Sequence, residues 1–363
     1  GVHVKLSPYD GRVVDIKFFD ARGLDIDKKT ERKIEGIFFR EDVRRAFLDE
    51  IGTIEEQPQL ANTYVTNFAR ALNADIARRA GDRPLIIDYA HAPAALVLPR
   101  VLSQFGWEVI ALNSSLDEHK LGMPPDALEG ALRQLATITK SLRAKLGVRL
   151  DTSGERIFVV DHEGNRVDDW SLLGAIAAMM LRAHPGGQIA VPVTAPNLFE
   201  WLAERYGGRV VRTRVDPQSV MAAAAREGVI LAGDGNGGIA FPEFHPAFDG
   251  LFAIAKLHEL LLAQETDLAQ EVRALPSYYT ARTKVPCPWE SKGKVMRILS
   301  QQYQSDRVRQ IDGVKIDLGH EEWVLVLPDT DRPLFHVIAE SVSGDGARVL
   351  MEKYAALVSS LQR

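Results

Sequence analysis

At 363 residues the chain exceeds one ordinary domain and has room for two to four, and 46 % hydrophobic residues suffice for a sizeable core. A net charge of −5, with acids and bases mixed along the chain, argues against nucleic acid as a partner. The longest apolar run, LLGAIAAMML at 172–181, is too short to span a bilayer and reads as a buried helix. No signal peptide is visible, and a single cysteine, Cys287, excludes an internal disulfide and fits a reducing, cytoplasmic setting.

In chain order, Val2, His3 and Val4 open directly on a strand. A sheet beginning this way exposes unpaired edges, so the expectation is a fragment of a longer polypeptide. Residues 31–38 and 41–51 read as charged, amphipathic helices, and 62–80 as another that ends near Gly81. The run 84–90 (PLIIDYA) reads as a buried parallel strand; a helix at 94–105 and a strand at 107–112 complete a βαβ unit. The theme recurs with a helix at 126–146, a strand at 156–160, a turn at 161–164, and a helix at 170–184. It continues with a strand at 188–192, a helix at 197–206, strands at 209–213 and 238–241, and a helix at 249–264. Beyond Leu275, Pro276 and Ser277 the texture becomes α+β: a strand at 284–285, a helix at 292–303, strands at 314–318, 323–327 and 335–341, and a terminal helix at 345–361.

Four polar loops punctuate this order. The first is 1–10 (GVHVKLSPYD) with IKFF at 16–19; Ser7, Pro8, Asp10 and Gly11 are ordinary turn residues, and Lys17 lies on the next strand. The second is 150–156 (LDTSGER), followed by VDHEG at 160–164; it reads as a capped turn, and Arg156 could grip a carboxylate or phosphate bidentately. The third is 232–238 (AGDGNGG), preceded by RTRV at 212–215 and followed by Asp249 and Gly250; Asp234 and Asn236 can both hydrogen-bond. The fourth is LPDTDRP at 327–333.

In this order the loops resemble the four active-site loops of the α-D-phosphohexomutases, the phosphomannomutase and phosphoglucomutase family. The resemblance implies an α/β fold of three α/β units, the first truncated, plus a C-terminal α+β unit around a central cleft. The units are expected at 1–61, 62–184, 185–275 and 276–363. It implies that Ser7 carries a transferable phosphate, with Lys17 as general base or charge clamp. Asp151, Ser153 and Glu155 fall on the three carboxylates that hold Mg²⁺. Arg156, Gly233, Asp234, Asn236 and Gly237 fall on substrate-binding positions, and Asp329, Thr330, Asp331 and Arg332 on the phosphate loop. The implied ligand is a hexose phosphate.

The departures are chemical. Pro8, Tyr9 and Asp10 stand where the family has His-Asn-Pro, Ser153 replaces a carboxylate, and Gly238 replaces a histidine. Leu327, Asp329 and Asp331 stand where the family has Arg, Ser and Thr. Each loss removes proton transfer or electrostatic stabilisation typically worth ~100-fold. The expected function is therefore a degenerate-site member that binds a hexose phosphate as a regulatory or assembly module. The alternatives are a divergent, active mutase using Ser7, and a scaffold with a vestigial cleft. Residues 7–10, 38–42, 285–290, 292–293 and 328–329 further resemble the phosphomutase-like C-terminal module of bacterial mannose-1-phosphate guanylyltransferase-type proteins. That resemblance implies a preceding nucleotidyltransferase domain as partner. No glycine-rich nucleotide loop follows a strand, so nucleotidyl transfer by these residues is not expected.

Overall fold

The computed structural model describes residues 1–6, 12–41, 43–79, 83–120, 125–303 and 307–362. β1 (Val2–Leu6) and β2 (Val14–Phe18) form an antiparallel hairpin that pairs His3 with Lys17 and Lys5 with Asp15. Side-chain alternation puts these four polar residues on one face. Val2, Val4, Val14 and Ile16 share the other face and are at least half exposed. α1 (Lys28–Phe39) is N-capped by Asp27 and buries none of its residues. The helix expected over 41–51 does not form: Glu41 has a left-handed φ of 52°, and regular structure is confined to a 3₁₀ turn at Leu48–Glu50. Its apolar residues Val43, Phe47, Leu48 and Ile51 stay exposed, and so short a helix is marginal without a packed face.

α2 (Gln59–Ala71) buries Val65 and Phe68. The single helix expected over 62–80 is split: Leu72 is extended, and Asn73 caps a new turn, α3 (Ala74–Ala77), by accepting from the Asp75 and Ile76 N–H groups. Asparagine's preference for capping over helix interiors accounts for the break.

The first parallel sheet takes β3 (Leu85–Asp88), α4 (Ala94–Leu102), β4 (Val109–Leu112), α5 (Pro125–Ser141), β5 (Leu146–Leu150) and β6 (Ile157–Asp161). Its order is β4-β3-β5-β6, with β3 parallel to both neighbours and β6 antiparallel to β5. The helix expected to reach residue 146 stops early, beside Arg143 at φ 53°, and the fully buried β5 follows.

The second sheet repeats this plan. α6 (Asp169–Ala183), β7 (Gln188–Pro192), α7 (Leu198–Tyr206), β8 (Arg209–Thr213), α8 (Pro217–Ala224), β9 (Val229–Gly233), β10 (Ile239–Ala240), α9 (Gly250–Ala263) and α10 (Leu268–Arg273) follow in order. The sheet order is β8-β7-β9-β10, again three parallel strands and an antiparallel edge. α8, β9 and α10 had no counterpart in the sequence reading. α6, which carries the apolar run 172–181, and α9 are buried on nearly all sides in one core shared by both sheets. No helix among the described residues is long and apolar enough to cross a membrane.

β11 (Tyr279–Pro286), α11 (Trp289–Gln302), β12 (Val308–Arg309), β13 (Val314–Gly319), β14 (Glu322–Pro328), β15 (Leu334–Ser341) and α12 (Gly344–Ser360) complete the chain. The strands make an antiparallel sheet ordered β11-β15-β14-β13-β12. One face (Val285, Val324, Val326, Phe335, Val337) packs with Val295, Leu299, Tyr354 and Val358 of α11 and α12. Trp323, Leu325, Leu327 and Ile338 on the other face pack on Val193, just beyond β7.

That second contact also buries charge. Glu340 accepts from the Asn197 N–H at 3.1 Å and from the Trp323 indole at 2.8 Å, and burial pushes its carboxyl up to about 7. A folded-state value above the ordinary 4.5 means that the folded protein keeps a proton the unfolded chain has lost. Stability from this group is full below 4.5 and is lost as pH rises toward about 7. Glu340→Gln removes that slope. Thermal melts should show wild type losing on the order of 1–2 kcal/mol relative to the variant between about pH 5 and 7; parallel curves would refute the assignment.

Candidate functional site

All four polar loops join antiparallel neighbours: 7–13 link β1 to β2, 151–156 link β5 to β6, 234–238 link β9 to β10, and 329–333 link β14 to β15. The repeated topology of the two parallel sheets places the second and third loops at equivalent ends. There they are stitched together: Arg156 bridges to Gly238, and Ile157 N donates to Gly237 O at 3.1 Å. Gly235 and Gly237 have φ of 69° and 82°. A Cβ on Gly235 would meet the Trp170 ring at 2.3 Å, and one on Gly237 would meet Ile157 O at 2.6 Å, so glycine alone fits at both.

Within 151–156 the Asp151 carboxylate turns inward. Its Oδ1 accepts from the N–H of Glu155 at 2.8 Å and of Arg156 at 3.1 Å. Burial pushes the Asp151 carboxyl up despite those bonds. The Ser153 hydroxyl accepts from Lys5 Nζ at 2.5 Å, and Glu155 Oε1 accepts from Lys17 Nζ at 2.7 Å. Lys17 also lies 3.4 Å from Asp25 Oδ1. Burial works against both charges of the Lys17–Glu155 pair, yet each holds the other ionised: Lys17 is raised and Glu155 lowered from their ordinary values. An ammonium held in this way is a poor proton acceptor.

In the third loop, Asp234 Oδ1 accepts from the N–H groups of Asn236 at 2.8 Å and Gly238 at 3.1 Å, and Oδ2 pairs with Arg156 at 2.7 Å. Arg156 also donates to Asn236 O and lies over the Phe248 ring. Asp234, expected to read ring hydroxyls, thus has both oxygens committed inside the protein, whereas the Asn236 side chain is exposed. A cavity of about 240 Å³ separates this loop from the last sheet, lined by Trp170, Asn236, Thr280, Arg282, Leu327 and His336 among others.

The fourth loop is closed on itself. Asp329 Oδ1 accepts from the N–H groups of Asp331 and Arg332, each at 2.9 Å, and Oδ2 lies 3.0 Å from His336 Nε2. Although burial opposes it, these partners hold the Asp329 carboxyl below its usual range. Lys292 Nζ, stacked over Trp289, donates to the carbonyls of Asp329 and Arg332 at 2.6 Å each. Thr330, Asp331 and Arg332 are exposed.

This arrangement has relatives. A family model described as phosphoglucomutase/phosphomannomutase, alpha/beta/alpha domain II, matches residues 62–164, and its domain III counterpart matches 169–279. A protein of Methanopyrus kandleri named "Probable phosphoglucosamine mutase" is 30 % identical over 99 % of this chain and 78 % of its own length. The chain belongs to the α-D-phosphohexomutase superfamily. Its fold matches that of a phosphoglucomutase/phosphomannomutase family protein from Burkholderia thailandensis, with a TM-score of 0.82 at 20 % identity over 99 % of this chain and 76 % of the other. Aspergillus fumigatus N-acetylphosphoglucosamine mutase, solved in complex with GlcNAc-6P and magnesium, gives 0.57 at 13 % identity over 82 % and 70 %.

Of the residues expected at a phosphohexomutase site, Lys17, Asp151, Glu155, Arg156, Asp234 and Asn236 are joined by hydrogen bonds or ion pairs, Gly237 accepts from Ile157, Ser153 is held by Lys5, and Gly233 ends β9 beside Asp234. Ser7 lies outside the described residues. The 329–332 loop reaches the cavity through its partner His336. Sequence reasoning missed Lys5, Asp25, Arg282 and His336, and read Lys292 only as part of a resemblance motif. Lys5 was accessible from strand alternation, since it falls on the Lys17 face of the hairpin.

The superfamily's Mg²⁺ does not suit this donor set. Asp151 spends an oxygen on backbone N–H groups, Ser153 brings no charge, and ammonium groups occupy both Ser153 and Glu155. No three His, Cys, Asp or Glu side chains form a metal-holding cluster among the described residues.

Proposed function

We propose that this phosphohexomutase-superfamily chain binds a hexose phosphate without efficiently exchanging its phosphate, and so acts as a binding or assembly module rather than a mutase. One observation carries the reading: the Asp329 carboxylate already holds the backbone N–H groups of Asp331 and Arg332, the donors a phosphate dianion would need. A second anion there meets repulsion instead of a cradle. The sugar side of the cleft stays built, with Asn236 exposed and a cavity large enough for a hexose ring. Arg282, exposed on β11 at the cavity wall and without an ion pair among the described residues, is our candidate phosphate contact.

The motif at 285–293 (VPCPWESKG) supports a setting in nucleotide-sugar supply, with a sugar nucleotidyltransferase as the partner class. A divergent mutase using Ser7 is the second reading, favoured by the name of the 30 % identical relative. Both are tested by one set of measurements on wild type and Ser7→Ala. Thermal shifts are read with mannose 1-phosphate, glucose 1-phosphate and glucosamine 6-phosphate, alongside a mutase assay supplied with Mg²⁺ and a hexose bisphosphate. Equal shifts in both proteins without turnover are expected. Turnover in wild type that Ser7→Ala abolishes would make the chain a mutase, and no shift with any sugar phosphate would leave the cleft vestigial.

A further inference from the structure

The 151–156 loop presents side chains at alternating positions toward the polar face of the β1–β2 hairpin, and that face carries two lysines. Lys5 Nζ is 2.5 Å from Ser153 Oγ, and Lys17 Nζ is 2.7 Å from Glu155 Oε1. The hairpin register fixes both, because Lys5 and Lys17 lie diagonally on one face, opposite Asp15 and His3. Lys5 and Asp15 also line a cavity of about 260 Å³ with Asp151, Ser153 and Glu155.

From this geometry we infer that the Lys5 ammonium takes the place of the divalent cation at this loop. Its positive charge is supplied by the fold, with Lys17 as a second fixed charge on Glu155. Two substitutions act together. Serine for a carboxylate lowers the demand for positive charge, and lysine supplies one unit of it as a hydrogen-bond donor to that serine. A divalent ion seated here would face the Lys5 ammonium and one fewer anion, while Lys17 is already neutralised by Glu155 and by Asp25 at 3.4 Å. Loop shape does not depend on a metal either, because Asp151 holds the turn through the Glu155 and Arg156 N–H groups. The inference rests on the loop being the superfamily's cation loop, and it does not need hexose-phosphate binding to be correct.

The test is a Mn²⁺ titration, followed by the EPR signal of the free ion, on wild type and on Lys5→Thr/Ser153→Asp. The double variant removes one positive charge and adds one negative charge. It is expected to bind one equivalent at least ~10-fold more tightly than wild type, which should leave Mn²⁺ free up to about 1 mM. Wild type binding one equivalent as tightly as the variant overturns the inference, as does a folded double variant that binds none. Should the double variant not fold, Lys5→Met, which keeps the apolar stem, is read by melting. It is expected to regain in about 10 mM MgCl₂ part of the melting temperature it loses, while wild type melts alike in MgCl₂ and EDTA. No regain, or a wild-type rise of several degrees, overturns the inference. Adding glucose 1-phosphate in EDTA reads the binding proposal separately: absence of a shift there sinks that proposal and leaves the metal measurements decisive.

Discussion

Arg156→Ala is expected to destabilise the protein by about 3 kcal/mol and to abolish hexose-phosphate binding. The Asp234 side chain is 3 % exposed, and its Oδ2 finds its opposite charge in Arg156 at 2.7 Å. Its other oxygen holds the N–H groups that shape the third loop. Removing the guanidinium leaves a buried carboxylate without its counter-charge and also frees the Asn236 carbonyl, which sits 2.7 Å from the same nitrogen. Breaking a buried pair from one side is the costly direction, whereas removing both charges is much milder. Arg156→Ala/Asp234→Asn should therefore recover roughly half of the loss, a coupling that a double-mutant cycle in urea measures directly. Arg156→Lys should restore only part, since an ammonium keeps the charge but not the reach and planar geometry of the guanidinium nitrogen that serves Asp234 and Asn236 together. A loss below about 1 kcal/mol for Arg156→Ala would mean that the two loops are held by their backbone bridges alone.

The sequence carried the loops well and their environments poorly. The order of the four loops was legible in composition, and Asp151, Asp234 and Asp329 each sit in a short polar turn between strands, a kind of segment that leaves clear signals. Strands that end in those turns were harder. β5 has no counterpart in the sequence reading, where the helix runs to 146 and residues 147–149 carry no element, because its buried run lacks the polar alternation that marks a strand. The charges that decide the chemistry were harder still. Lys5 meets Ser153 across 148 residues of chain and His336 meets Asp329 across a hairpin, so neither pairing appears in local periodicity. In 41–51 the sequence pattern suggested an amphipathic helix, but its apolar residues Val43, Phe47, Leu48 and Ile51 stay exposed among the described residues, and the local signal did not prevail.

Asp329→Ser is expected to raise affinity for a hexose phosphate by ~10- to 100-fold. The fourth loop already has the shape of an anion site. Two N–H groups point at one oxygen of Asp329 and the His336 ring meets the other, so the protein supplies its own anion. Serine removes that charge and releases all three groups. The loop should keep its form, because Lys292 is bound to the carbonyls of Asp329 and Arg332 rather than to the carboxylate. Asp331 stays as an exposed second charge, so Asp329→Ser/Asp331→Thr should bind more tightly again. Titration calorimetry with glucose 1-phosphate and with inorganic phosphate reads both variants, and a gain for each ligand would place the new strength in the loop itself. Unchanged affinity in Asp329→Ser would mean that the phosphate rests elsewhere on the cavity wall. Arg282 would then be the residue to remove, and the sealed loop would be a structural turn whose carboxylate holds β14 against β15.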